Sequence, residues 1–542
     1  MAKVTGGQAI VKSLLSHNIN TIFALPGVQN DFFFNALFDE GDKVKVIHTR
    51  HEQGAAYMAL GSAMSTGEVA AYSVVPGPGL LNSFAALATA YSLNARVFCL
   101  TGQILSSRIG RGLGELHEIP DQFGMLQSLT KWATRVSSPT EAPEAISQAM
   151  KELYSGRPRP VGLECPLDVL PATAEVDLRK VEHEIRWPPV DTDAIDQAAQ
   201  ILGKAKHPVI FVGSGAIDAA DAVLELAETL QAPVVSNTSG HGIVSSRHCL
   251  GMRQQAAQIY WKKTDAVLAI GSRMQRTLSS LGTDDEMKLI RIDIDPEEHI
   301  RGQRPDVSLT ARSEDALPVL IESLQKYNRI RPSIQDDIET INQTVRSQIA
   351  YLEPQLSFVN AIREELDDDA IVVNGVTQIG YVSKFAMPVY QPRTMLDSGY
   401  QGTLGWNYPT ALGAKVANPD KQVVAISGDG GFMFNVQEIA TAVQHNINVV
   451  ALVFNDSAYG NVRRMQKELH GNRLIATDLQ NPDFVKLAEA YGAQGLRAHT
   501  PKELRQALRT GLETDAPTLI EIPVEEMPSP SKVAWRVPRV RG

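Results

Sequence analysis

Cysteine is nearly absent from this 542-residue chain: three residues, Cys99, Cys165 and Cys249, stand far apart in apolar settings. That spacing supports neither a disulfide framework nor a zinc site and points to a reducing compartment. Long apolar runs are missing too. Nowhere do eighteen apolar residues follow one another, and the opening "MAKVTGGQAIVKSLLSHNIN" has no signal-peptide core. Excess positive charge is the third absence, and a formal net charge of −10 argues against a general nucleic-acid or anionic-membrane surface. The tail from Pro528 to Gly542 carries Lys532, Arg536, Arg539 and Arg541, which read as a docked or frayed terminus. These absences predict a cytoplasmic protein with no membrane and no nucleic-acid partner. What remains, 43% hydrophobic and 21% charged residues, is globular composition. The length suits roughly three or four domains.

Apolar strand-like runs alternate with helical segments from end to end. They are "TIFALPG", "KVKVIH", "VAAYSVV", "ARVFCLTG", "HPVIFVG", "APVVSN", "DAVLAIG", "KLIRIDID", "AIVVNG", "QVVAIS" and "NVVALVFN". Continuous apolar strands separated by helices predict an α/β fold of doubly wound parallel sheets. Two polar, proline-bearing stretches, residues 182–193 and 325–340, read as linkers. They set domains at 1–180, 190–330 and 345–530.

The first and third units look like copies. "VVPGPGLLNSFAALATAYSLNARVFCL" (74–100) parallels "AISGDGGFMFNVQEIATAVQHNINVVALV" (425–453), each a strand, a Gly-x-Gly turn, a helix and a second strand. Asn435 followed by Glu438 resembles a capping box and puts the second helix start near Val436. Pro78 stands in the first copy where Asp429 stands in the second, which implies divided labour.

Asp429 lies just past the strand "VVAIS", and the next strand, "INVVALVF", ends in Asn455-Asp456. If these strands are adjacent and parallel, both ends lie on the edge where doubly wound folds bind ligands. Carboxylate oxygens suit magnesium or calcium rather than a soft metal. Gly428, Gly430 and Gly431 let backbone N–H groups approach an anion without a Cβ in the way. The combination predicts a divalent metal and a phosphorylated ligand.

Gly-Asp-Gly, a helix, an apolar strand and then Asn-Asp resembles the thiamine diphosphate motif. The resemblance, to the acetolactate synthase and 2-oxo-acid decarboxylase group of thiamine diphosphate enzymes, covers nearly the whole chain. It implies the thiamine diphosphate-binding fold, with a pyrimidine-binding domain first, a Rossmann-like middle domain, then a diphosphate-binding domain. The implied metal ligands are Asp429, Asp456 and the Ala458 carbonyl, with Asn455 as the alternative to Asp456, and Tyr459 and Gly460 follow in the phosphate-contacting place. Asp456 departs from the commoner Asn, adding one negative charge that low dielectric penalises.

"HTRHEQGAAYMAL" (48–60) sets Glu52 between a strand and a helix crowded with small residues. Alone, an acid there is explained by the helix dipole. Beside the metal motif it looks like the family's catalytic glutamate, which shares a proton with the cofactor's aminopyrimidine ring and needs a partly buried carboxyl. By position, Gly402, Thr403 and Leu404 in "SGYQGTLGWNYPTALGA" meet the pyrimidine. Leu404 props the cofactor's bend, while "NGVTQIG" nominates Thr377 and Gln378 for the diphosphate. Pro26, Gly27, Pro78 and Asn82 complete the implied cofactor contacts.

At the substrate the pattern thins. "ALPGVQN" matches the family's first active-site loop, but Val28 with Gln29 behind it replaces the decarboxylases' acid or serine. "GELHEIPDQ" offers one histidine, His117, for a substrate carboxylate or carbonyl or for a proton, although a surface histidine reads nearly as well. Met465 falls near a Trp that shapes the acceptor pocket in acetolactate synthases. "FVGSGAIDAADAVLELA" (211–227) lacks the third glycine of a dinucleotide turn. "GSRMQRTLSS" keeps little of the family's flavin-contacting run beyond Arg273, so FAD in the middle domain is compatible with the resemblance rather than implied by residues. The expected activity is thiamine diphosphate- and magnesium-dependent decarboxylation of a 2-oxo acid, with ligation of the product to a carbonyl acceptor. The alternatives are simple decarboxylation, lysis of a hydroxy ketone or diketone, and a cofactor-binding but silent subunit, which Glu52 disfavours. The resemblance also implies a homodimer or homotetramer with active sites at the subunit interface.

Overall fold

The structure is a computed structural model and describes residues 1–534 and 538–541; Arg536 of the basic tail lies outside them. Every apolar run named above forms a strand. With seven further strands they assemble into three six-stranded sheets. The first has the order Lys45–His48, Thr21–Ala24, Ala70–Val74, Val97–Gln103, Val161–Pro166, Trp132–Arg135. The middle sheet runs Gly251–Met252, Val234–Ser236, Pro208–Val212, Ala266–Ile270, Lys288–Asp293, Val307–Thr310. The third runs Met395–Asp397, Ile371–Asn374, Val423–Gly428, Val450–Asn455, Thr518–Pro523, Gln494–Arg497. Counted in chain order, the first and third sheets share the sequence second, first, third, fourth, sixth, fifth, whereas the middle one starts third, second, first. The likeness of the two end units thus extends from sequence to strand topology. Paired strands within the sheets are parallel, as in Val424 opposite Val450 and Ala70 opposite Val97. A separate antiparallel pair joins Ala2–Thr5 to Thr173–Val176.

By compactness the chain forms two units. One comprises residues 1–186, 398–498 and 507–523, and the other 187–397, 499–506 and 524–542. In the first unit the helix Glu52–Thr66 starts at His51, whose Nδ1 accepts from Gln53 N, and stops at left-handed Gly67. Most of its residues are buried, on all sides. A helix without a polar stripe belongs inside a larger core. Against it packs the helix Asn407–Ala417. A Cβ on Gly61 would lie 1.9 Å from Thr410 O, and one on Gly413 would lie 1.8 Å from Met58 O. The two backbones touch, which is why glycine stands at both crossings.

In the second unit the tail is docked where it is described: Arg541 Nη1 donates to both Asp284 oxygens at 2.8 and 2.9 Å. The stretch expected as a linker at 325–340 is only half irregular, because the helix Gln335–Ile349 begins inside it; Asp336 and Asp337 in its first turn favour the start. Cys99 and Cys165 are buried, but Cys249 is exposed, contrary to its apolar neighbourhood in sequence. Among the described residues no helix is long and apolar enough to cross a membrane.

Candidate active site

The strands Val423–Gly428 and Val450–Asn455 are adjacent and parallel, so the carboxylates at their ends meet on one sheet edge. Asp429 opens a four-residue helix, Asp429–Phe432, and is buried. Burial raises the pKa of both acids. The neighbouring Asp429 charge adds to the effect at Asp456, whose carboxyl is pushed up to about 7. Two carboxylates at one sheet edge suit a dication between them. Close approaches explain two glycines here. A Cβ on Gly460 would sit 2.4 Å from Asp456 Oδ2, and one on Gly430 would sit 2.7 Å from the Tyr459 ring. Between Asp456 and Ala458, Ser457 takes a left-handed φ of 51°, turning the chain sharply after the strand. Among the described residues no group of three His, Cys, Asp or Glu side chains could hold a metal ion. A dication here would need Asp429, Asp456, the Ala458 carbonyl and ligand oxygens together.

Asn455 is otherwise engaged. Its Nδ2 donates to Glu521 Oε1 at 2.8 Å, and its Oδ1 accepts from Ser457 N at 3.1 Å and from Asn481 Nδ2 at 2.9 Å. Asn481 Nδ2 also donates to Asp429 Oδ2 at 2.6 Å. Nothing in the sequence reading pointed to Asn481, since "NPDF" reads as an ordinary turn and cap.

Glu52 is the first residue of its helix, as expected, with its side chain 13% exposed. Asn82 Nδ2 donates to Glu52 Oε2 at 3.0 Å. Asn82 lies inside the helix Pro78–Leu93, which starts at Pro78 itself after Gly77 with φ 60°. A buried acid, Glu438, backs the turn before Glu52. It accepts from Arg50 N at 3.2 and 3.3 Å and from Thr441 Oγ1 at 2.6 Å. Its Oε1 would lie 2.4 Å from a Cβ on Gly54. Desolvation raises the Glu438 pKa. The expected capping box therefore does not form. The helix begins at Glu438 rather than near Val436, and Asn435 Nδ2 donates instead to Gly405 O at 2.8 Å. A carboxylate useful in packing against the Glu52 turn is not spent on its own helix end.

Gln29 is buried, with Nε2 donating to Leu116 O at 3.0 Å, so the loop 24–30 holds the loop that carries His117. His117 has φ 69°, and its carbonyl presses on Gly77, where a Cβ would lie 2.3 Å away. Val28 is 63% exposed and Met465 is 42% exposed. Gly27 packs on Val75, and Pro26 is exposed. Thr403 Oγ1 lies 3.0 Å from Thr89 Oγ1, Gly402 has φ 58°, and Leu404 Cδ2 would be 3.8 Å from a Cβ on Gly431. All of these belong to the first compact unit. Thr377 and Gln378 belong to the second, where the Gln378 side chain accepts from Met527 N at 2.7 Å and donates to Glu525 O at 3.3 Å.

The middle sheet's glycine turn does not form a phosphate cradle. Gly213 N donates to Ile270 O at 3.0 Å and Gly215 N to Gly271 O at 3.4 Å, and the α-helix that follows begins only at Ala220. A pyrophosphate at this turn would need N–H groups that are already engaged.

Comparison with known proteins matches three family models along the chain. These are the N-terminal, central and C-terminal domains of thiamine pyrophosphate enzymes, at residues 4–125, 195–320 and 375–522. A probable acetolactate synthase large subunit of Methanocaldococcus jannaschii is 33% identical, the match covering 96% of this chain and 93% of that protein. An acetolactate synthase of Arthrospira platensis is 32% identical over 96% of this chain and 94% of its own. A probable 2-ketoarginine decarboxylase of Pseudomonas aeruginosa is 31% identical over the same shares.

Proposed function

The chain belongs to the thiamine pyrophosphate enzymes, and we propose that it decarboxylates a 2-oxo acid and joins the acyl unit to a carbonyl acceptor, as acetolactate synthases do. The observation that carries this reading is the Asp429–Asp456 pair at one sheet edge, flanked by glycines forced by close approach. In this reading residues 1–180 serve the pyrimidine and 345–530 the diphosphate, with 190–330 between them. Asp429, Asp456 and the Ala458 carbonyl hold Mg2+. Gly428, Gly430, Gly431, Tyr459 and Gly460 face the diphosphate, and Gly402, Thr403 and Leu404 face the pyrimidine. Bound thiamine diphosphate supplies the carbon nucleophile and the electron sink for decarboxylation. Glu52 holds and moves a proton at its carboxylate, oriented by Asn82 Nδ2. His117, fixed through the Gln29 and Gly77 contacts, orients the substrate carboxylate beside Val28. The chemistry of this scheme requires no flavin step. The protein works in the cytoplasm as a homodimer or a pair of dimers.

Incubation with pyruvate alone tests the reading. Acetolactate, or the acetoin it yields, is the expected product. Free acetaldehyde in stoichiometric amount with CO2 would replace ligation by simple decarboxylation, the second reading that similarity to a probable 2-ketoarginine decarboxylase favours. A panel of 2-oxo acids scored for CO2 release then identifies the donor.

A further inference from the structure

Two ion pairs, each between a buried glutamate and a partly exposed arginine, recur at matching positions of the two end sheets. The sixth strand of each, in chain order, carries a buried glutamate: Glu164 in Val161–Pro166 and Glu521 in Thr518–Pro523. The fifth strand sets an arginine directly opposite, Arg135 across from Glu164 and Arg497 across from Glu521. Arg135 Nε donates to Glu164 Oε1, while Arg497 donates through Nε and Nη2 to Glu521 Oε2 at 2.9 and 2.8 Å. In each case the other carboxylate oxygen receives a side-chain amide.

A carboxylate only accepts, so the amide must present its NH2 group, and its carbonyl oxygen must then point the other way. In the first sheet the amide is Gln122, with Nε2 donating to Glu164 Oε2 at 2.9 Å and Oε1 accepting from Gly77 N at 2.8 Å. In the third sheet it is Asn455. Nδ2 on Glu521 leaves Oδ1 to take Asn481 Nδ2, whose second hydrogen goes to Asp429 Oδ2. Both chains of bonds end at the turn after the third strand, at Gly77-Pro78 in the first sheet and Gly428-Asp429 in the third. An ion pair with one partly exposed partner contributes little net stability by itself. Its use here is to fix polarity: a carboxylate can only accept, so it orients the amide that meets it.

We infer that Arg497, Glu521, Asn455 and Asn481 form a relay that positions the Asp429 carboxylate for a divalent cation, with Arg135, Glu164 and Gln122 as its counterpart at Gly77. Asn481 is the positioning residue that touches Asp429. The inference rests on Asp429 being a metal ligand. The test follows binding of Mn2+ at saturating thiamine diphosphate by loss of the free-ion EPR signal. Asn481→Ala should weaken Mn2+ binding about tenfold, the scale of lost outer-shell partners. Asn481→Leu has nearly the same shape but can neither donate nor ligate, so it should lose at least as much. Affinity kept in either variant would overturn the relay. Asp429→Ala separates the two readings. Loss of Mn2+ binding there, with full binding in the Asn481 variants, sinks the relay alone, whereas retention in Asp429→Ala sinks the metal site.

Discussion

At Asp456 the chain puts a second carboxylate where the family pattern more often has an amide. With Asn455 engaged by Glu521, Ser457 and Asn481, Asp456 is the better-placed donor of the two. Asp456→Asn should therefore bind metal and cofactor nearly as the parent does, because an amide oxygen still coordinates and the pair loses its repulsion. Asp429→Ala should lose cofactor even at high thiamine diphosphate. A dead Asp456→Asn with intact fold would return the ligand role to Asn455. Glu52→Gln keeps the Asn82 contact but not the proton, so it should bind cofactor and slow turnover about 10²–10⁴-fold. Unaltered exchange of the thiazolium C2 proton, read by NMR, would remove Glu52 from the chemistry. The residues legible in the sequence are those that sit in a fixed local pattern, such as Asp429 in its glycines and Glu52 between strand and helix. Asn481 and Gln122 were not, because their partners lie on other strands and nothing in their own neighbourhood signals a contact with a ligand-facing turn.

Elements divide the same way. The fully apolar strands, such as "VVAIS" and "VFCL", announce themselves. Val161–Pro166 and Thr518–Pro523 do not, though both lie inside their sheets, because each carries a buried glutamate where a central strand is expected to be apolar. The charge that hides these strands is the one that anchors the relay. The edge strands Met395–Asp397 and Gln494–Arg497 are too short or too polar to stand out. One helix start departs from its pattern: Glu438 resembles a capping residue, but its carboxylate meets Arg50 N. The small residues on the helix Glu52–Thr66 suit close helix packing at a subunit interface, but the partner they meet is the helix Asn407–Ala417 of the same chain. That packing makes a test: Gly413→Ala should lower the calorimetric midpoint by a few degrees, an overpacking penalty of about 1–3 kcal/mol, since its Cβ meets backbone that cannot step aside. Gly431→Ala, with its nearest neighbours at 3.8 Å, should leave the midpoint in place. Equal midpoints for the two variants would mean the helices separate at no cost.

For the whole molecule, the remaining question is where each chain's candidate groups find their complement. The segments that carry them in the first unit also expose large apolar side chains: Val28, Leu81 beside Asn82, Leu116 beside His117, Met433 and Phe434 after Asp429, and Met465. Apolar side chains exposed on the segments that carry the candidate groups are suited to burial against a partner. In the proposed homodimer a second copy of the chain would cover these side chains, an isologous arrangement setting the pyrimidine half of one chain against the diphosphate half of its partner. The experiment uses two dead chains. Glu52→Gln keeps a working Asp429, and Asp429→Ala keeps a working Glu52. If sites are shared, a heterodimer regains one complete site, so an equal mixture after subunit exchange should recover about a quarter of parental activity, half the dimers carrying half their sites. Thiamine diphosphate bridging both chains should also shift the equilibrium toward the dimer in sedimentation runs. No recovery, with exchange shown by differently tagged chains, would mean that each chain completes its own site, and the exposed apolar segments would then need another cover.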